Sequence, residues 1–264
     1  MSSVEAGLSL FVSPPACYTE GEAYLSNRRG PFMAVICIAG IAPGIGKTAI
    51  AELLLGHLEG WHAARVRLAD EIPESAVDRL GDAGHALLPY PDETGPDVEL
   101  DRLTAAGAAT ARVLLAEPRG LAAGLEALAR SVPEGENLLV EGNAYLWGAA
   151  ADLAIMVIGP GRSGKGLARV RRSARQLFPK IGVWVWNTRT DPGEEGFFDF
   201  PQAMARMGFQ DAVTNTADFH HVKPTAEDDP GRPTFLRAVG QRLESEWIRR
   251  GSNEFLKRIG FKID

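Results

Sequence analysis

The run Ala34-Val35-Ile36-Cys37-Ile38-Ala39 stops at Gly40 and passes through Ile41-Ala42-Pro43-Gly44-Ile45-Gly46 into Lys47-Thr48. No other stretch restricts the fold as much. An apolar, β-branched segment, a glycine-rich turn and an apolar helical pattern (Ala49, Ile50, Leu53, Leu54, Leu58) give the strand, loop and helix order of a phosphate-binding loop. Gly44 and Gly46 allow the backbone to aim its N–H groups at phosphate oxygens. Lys47 brings a mobile positive charge, and the Thr48 hydroxyl can enter the shell of a magnesium ion. The helix that starts here adds its positive dipole end. The expected nucleotide contacts are therefore Pro43, Gly44, Ile45, Gly46, Lys47, Thr48 and Ala49. A strict G-x-x-x-x-G-K-[ST] would put glycine at position 41, but the chain has Ile41 there and Gly40 falls one residue early.

A rival loop follows the apolar run Leu153 to Ile158. Gly159-Pro160-Gly161-Arg162-Ser163-Gly164-Lys165-Gly166 has the first-glycine spacing that the earlier loop lacks, yet it ends in Gly166 and offers magnesium no hydroxyl. Residues 40–48 are accordingly taken as the nucleotide site. The second loop is either a flexible glycine connection or an anion contact through Arg162 and Lys165, near a γ-phosphate or an anionic substrate. Residues 159–180 carry Arg162, Lys165, Arg169, Arg171, Arg172, Arg175 and Lys180 without one acid. Such asymmetry suggests an anion-facing surface, although residues on one helix at these spacings cannot all face one way, and solvent exposure or ion pairing accounts for most of them.

A chain of 264 residues with a formal net charge of -6 has room for one α/β domain with a substantial core, and its charge argues against general nucleic-acid binding. Cys17 and Cys37 lack metal-ligand spacing and read as unpaired thiols of a reducing compartment. Met1 to Val12 lacks the basic start and apolar stretch of a secretory signal, and no run approaches bilayer-spanning length. The expected location is cytoplasmic, without a membrane partner.

Strands are expected at 33–39, 64–69, 137–142, 152–158 and 181–187, with weaker candidates near 85–89 and 211–214. Helices are expected at 47–58, 99–115, 120–131, 165–177, 199–207 and 233–250. This alternation predicts a doubly wound α/β fold, a mostly parallel sheet flanked by helices, over residues 31–264. Residues 1–30, with Pro14 and Pro15, read as a loosely ordered or peripheral extension.

In such sheets ligands bind beyond the carboxyl ends of the strands. Asp70 and Glu71 follow one apolar run; Glu141, Gly142 and Asn143 follow Leu138-Leu139-Val140; Asn187 follows Val183-Trp184-Val185-Trp186. An acid at a strand tip is the Walker B pattern, in which a carboxylate holds magnesium or its water shell. Glu141 is the first candidate and Asp70 the second, so the expected metal set is Thr48, Asp70 and Glu141, and the expected catalytic set is Lys47, Asp70 and Glu141. Asn187-Thr188-Arg189-Thr190-Asp191 has the asparagine of an N-K-x-D base-reading motif, no lysine, and its acid one residue late. Asn187 is thus either a base contact or a turn cap, and ATP and GTP stay open. His220 and His221 lack a third nearby ligand and read as a surface loop pair; Trp184 and Trp186 read as core.

Together, Ile38 to Thr48, Leu138 to Asn143, Asp152 to Val157 with the basic loop behind it, and the strand ending at Asn187 resemble a P-loop NTPase of the SIMIBI class. The nearest resemblance is to the molybdopterin-guanine dinucleotide biosynthesis protein B family, over about residues 33–190. The resemblance implies a P-loop NTPase fold and a magnesium-dependent ATPase or GTPase that assists cofactor biosynthesis or metallocenter maturation. It also implies a client protein or anionic small-molecule substrate and a homodimeric arrangement. The second lysine that some members carry near the loop start is missing, since Gly40 and Ile41 hold that region. Two other readings fit the same grip: a small-molecule kinase with Asp70 as base and Arg162 and Lys165 clamping the migrating group, and a binding module that keeps nucleotide as a structural ligand.

Overall fold

The computed structural model describes residues 33–68, 78–91, 97–160, 167–188, 200–206, 209 and 218–250. The expected N-terminal extension 1–30, the weak strand 211–214 and Cys17 lie outside them. Among the described residues eight strands form one sheet: β1 (Val35–Gly40), β2 (Trp61–Leu68), β3 (His85–Tyr90), β4 (Ala111–Ala116), β5 (Asn137–Glu141), β6 (Leu153–Ile158), β7 (Val183–Asn187) and β8 (Asp218–Val222). Their order is β3-β4-β2-β5-β1-β6-β7-β8. Every neighbouring pair is parallel except β3 with β4.

The helices are α1 (Lys47–Leu55), α2 (Val98–Ala105), α3 (Leu121–Ser131), α4 (Asn143–Gly148), α5 (Arg172–Arg175), α6 (Phe200–Arg206) and α7 (Gly231–Arg250). They cover both faces of the sheet. Arg65 of β2 reaches Asp97 and Glu99 at the start of α2. A side chain at Gly124 of α3 would strike Leu114, the β4 partner of Val66, so α3 packs on the opposite face from α2. Coverage on both sides explains why β1 is apolar along its length and buried throughout. Trp184 and Trp186 are buried in the same core, as expected. Among the described residues no helix is long and apolar enough to cross a membrane.

The structure corrects several element assignments. The helix expected over 99–115 is two elements, because Gly107 takes φ 108° after α2 and the chain then pairs as β4 between β2 and β3. Ala111, Leu114, Leu115 and Ala116 are good helix formers, and the two flanking strands override that preference. Over its described part, 167–177, the helix expected over 165–177 is reduced to α5, since Leu167 bridges Pro160 and the Arg171 N–H donates to the Ile41 carbonyl. His220 and His221 lie on β8, not in a loop; the His220 ring meets Phe235 and the His221 ring meets Phe219. The short α4 was absent from the expected elements.

Candidate functional site

The glycine-rich loop leaves the carboxyl end of β1, which lies between β5 and β6, with Ile38 level with Glu141. Gly44 and Gly46 have φ of 64° and 99°, conformations that L side chains rarely adopt. Two asparagines hold the loop from opposite sides. Asn143 accepts from the Gly40 N–H at 2.8 Å and donates to the Gly40 carbonyl at 2.9 Å. Asn187 donates through Nδ2 to the Ile45 carbonyl at 2.8 Å. A Cβ at Gly40 would lie 2.7 Å from Ile45 Cγ2 and 3.0 Å from Lys47 Cγ. The glycine that falls one residue early is therefore required here by close approach, while Ile41 is fully buried.

Below the loop, Thr48 donates through Oγ1 to Glu141 Oε2 at 2.9 Å. Lys47 Nζ lies 4.0 Å and Arg65 Nη2 lies 3.9 Å from Glu141 Oε1. The Glu141 side chain is only 3 % exposed, and such partners offset the cost of burying a carboxylate this deeply. Burial pushes the Cys37 thiol well above its ordinary pKa, and the neighbouring Glu141 charge adds to the effect. Among the described residues no group of three His, Cys, Asp or Glu could hold a metal ion. The donors that are present, a hydroxyl and a carboxylate in contact, fit magnesium, which takes one or two protein oxygens beside phosphate oxygens and water.

A cavity of about 660 Å³ opens over this group. Its walls are the loop and the start of α1, Arg65 and Arg67 of β2, Glu99 and Arg102 of α2, and Asn143 and Trp147 of α4. Arg65 Nη1 donates to Asp97 Oδ1 at 2.9 Å, Asp97 Oδ2 at 3.0 Å and Glu99 Oε2 at 3.0 Å. Arg67 Nη2 donates to Asp97 Oδ2 at 3.0 Å. Asp97 also caps α2 by accepting from the Glu99 and Leu100 N–H groups. Arg102 forks onto Glu52 of α1, whose carboxylate raises the guanidinium pKa. This arginine wall was not anticipated. Its signal in the sequence is Arg65 and Arg67 at the two-residue spacing of one strand face, alternating with Ala64 and Val66.

The structure thus brings Lys47, Thr48, Ala49 and Glu141 together and sets Asn187 against the loop at Ile45. Asp70, Arg162 and Lys165 lie outside the described residues, as does Asp191. The stem of the second loop is described. Gly159 approaches Ile45 and Asn187, and the Ala168 N–H donates to the Gly159 carbonyl at 2.9 Å, so this loop springs from beside the first. Arg169, Arg171, Arg172, Arg175 and Lys180 are solvent-exposed, and Arg171 also borders the cavity. No protein-family model matches the chain, and no curated protein matches it.

Proposed function

We propose that this chain is a SIMIBI-like P-loop NTPase that binds and hydrolyses ATP or GTP with magnesium, as an accessory protein in cofactor biosynthesis or metallocenter maturation. The observation that carries the reading is the 2.9 Å contact between the Thr48 hydroxyl and the Glu141 carboxylate at the foot of a glycine-rich loop. In this reading Lys47 and the loop N–H groups bind the β- and γ-phosphates, helped by the positive end of α1. Thr48 and Glu141 would hold magnesium, which supplies charge neutralisation on the phosphate oxygens. Glu141, or Asp70 just beyond β2, orients the attacking water. Asn143 and Asn187 keep the loop in its gripping shape, so little reorganisation is left for the reaction itself.

The test is phosphate release from ATP and GTP with magnesium. Thr48→Ala and Glu141→Gln are each expected to lower turnover by about 100-fold or more, and Thr48→Ala is expected to raise the magnesium concentration required. Wild-type protein that releases no phosphate from either nucleotide removes the hydrolase reading. Tight nucleotide binding without turnover would favour the non-catalytic module. The extent of the cavity, past the loop to Arg67 and Trp147, gives a small-molecule kinase some support as a second reading. Diphosphate release that depends on an added metabolite would favour it, whereas slow hydrolysis stimulated by a protein would favour the accessory role.

A further inference from the structure

Arg65 pairs with Glu141 in the register of β2 and β5, and its guanidinium borders the same cavity as Lys47. We propose that Arg65 is a second catalytic cation of the nucleotide site, supplied by this chain itself and acting on the same phosphoryl group as Lys47. The inference rests on the nucleotide reading of the loop and names a residue that reading does not require.

Three observations carry it. The first is reach. Arg65 Nη2 is 3.9 Å and Lys47 Nζ is 4.0 Å from one atom, Glu141 Oε1, so the two nitrogens are separated by no more than the sum of those distances. Two charge-assisted hydrogen bonds of about 2.8 Å each, with a phosphoryl group between them, bridge such a gap. The second is fixation. Asp97 and Glu99 hold the guanidinium through Nη1 alone, which orients the planar fork and leaves Nη2 on the Glu141 side at a distance too long for a hydrogen bond. The third is charge. Hydrolysis spreads negative charge over the equatorial phosphoryl oxygens, and Arg65 lines the cavity beside Lys47 where that charge would develop.

In the step concerned, water oxygen bonds to the γ-phosphorus and the bond to the β-phosphate bridging oxygen breaks. The electron pair stays on the diphosphate, and the two water hydrogens leave on inorganic phosphate or pass to solvent. Arg65 and Lys47 donate to the non-bridging oxygens throughout. Arginine suits this place better than lysine, because its fork can serve the carboxylates on one side and the phosphoryl group on the other.

The experiment compares wild type with Arg65→Ala, Arg65→Gln and Arg65→Lys. It measures calorimetric affinity for the diphosphate and a non-hydrolysable triphosphate, phosphate release, and rescue by free guanidinium ion. Arg65→Gln keeps a polar, uncharged side chain of intermediate length in this largely buried place, so it serves if Arg65→Ala fails to fold. The expected result is retained diphosphate affinity, weakened triphosphate affinity, turnover lowered by about 100- to 1,000-fold, and partial recovery of Arg65→Ala with guanidinium. Wild-type turnover in the variants, or equal loss of diphosphate and triphosphate affinity, overturns the role of Arg65 and leaves the nucleotide reading standing. A wild-type protein that binds neither nucleotide removes both.

Discussion

Gly46→Ala tests how the loop keeps its shape. Gly46 sits at φ 99° and ψ 28°, so alanine there carries a left-handed penalty of about 1–2 kcal/mol. Its Cβ would fall 1.9 Å from Asn187 Nδ2, an overlap the carboxamide escapes only by giving up its 2.8 Å bond to the Ile45 carbonyl. Leaving that buried carbonyl without its donor costs about a further 1–3 kcal/mol, for a predicted total of about 2–5 kcal/mol. Urea unfolding measures the cost, and a cycle with Asn187→Ala isolates its origin. Asn187→Ala alone loses the same hydrogen bond and also vacates the space the new methyl needs. The double variant should therefore be more stable than the sum of the single losses implies, by at least about 1 kcal/mol. Additivity within about 0.5 kcal/mol would show that the two residues do not meet as described.

Cys37, studied in a Cys17→Ser background, should resist thiol reagents in the folded protein and react only on unfolding, since it is buried and its pKa is raised. Its folded form keeps a proton that the unfolded thiol loses, so its stabilising effect is complete below the ordinary thiol value of 9.0 and drains away as pH climbs above it. Urea midpoints on either side of that value, compared with Cys37→Ala, check the sign. Trp184→Ala should cost about 3–5 kcal/mol in chemical denaturation, because the ring is buried and meets Phe178 edge-on with centroids 4.8 Å apart. Arg102→Ala should change stability by no more than about 1 kcal/mol, because its pair with Glu52 is open to solvent.

Local pattern made the centre of the fold legible. β1, β5 and β6 are continuous apolar runs ending in Gly40, Glu141 and Ile158, and doubly covered parallel strands produce such runs. Glu141 was singled out by the rule that ligands gather at strand ends and Thr48 by the loop motif, while their direct contact is visible only in the fold. β4 was hidden because its alanines and leucines favour helix, and only the strands on either side of it make the extended form preferable. The arginine wall was hidden for a related reason. Arg65 and Arg67 share one strand face, but only the fold brings Asp97, some 30 residues on, back to cap α2 beside them. The roles of Asn143 and Asn187 as loop braces likewise depend on partners about 100 and 140 residues away in the chain.

The central claim, that residues 40–48 grip a nucleotide, is tested most directly by calorimetric titration of ATP and GTP with magnesium into wild-type protein and Lys47→Ala. Saturable heat with at least one nucleotide in the wild type, lost in Lys47→Ala while the variant unfolds at the same urea concentration, is the predicted result. Equal affinity in the two proteins, or no binding by the wild type, would contradict the account.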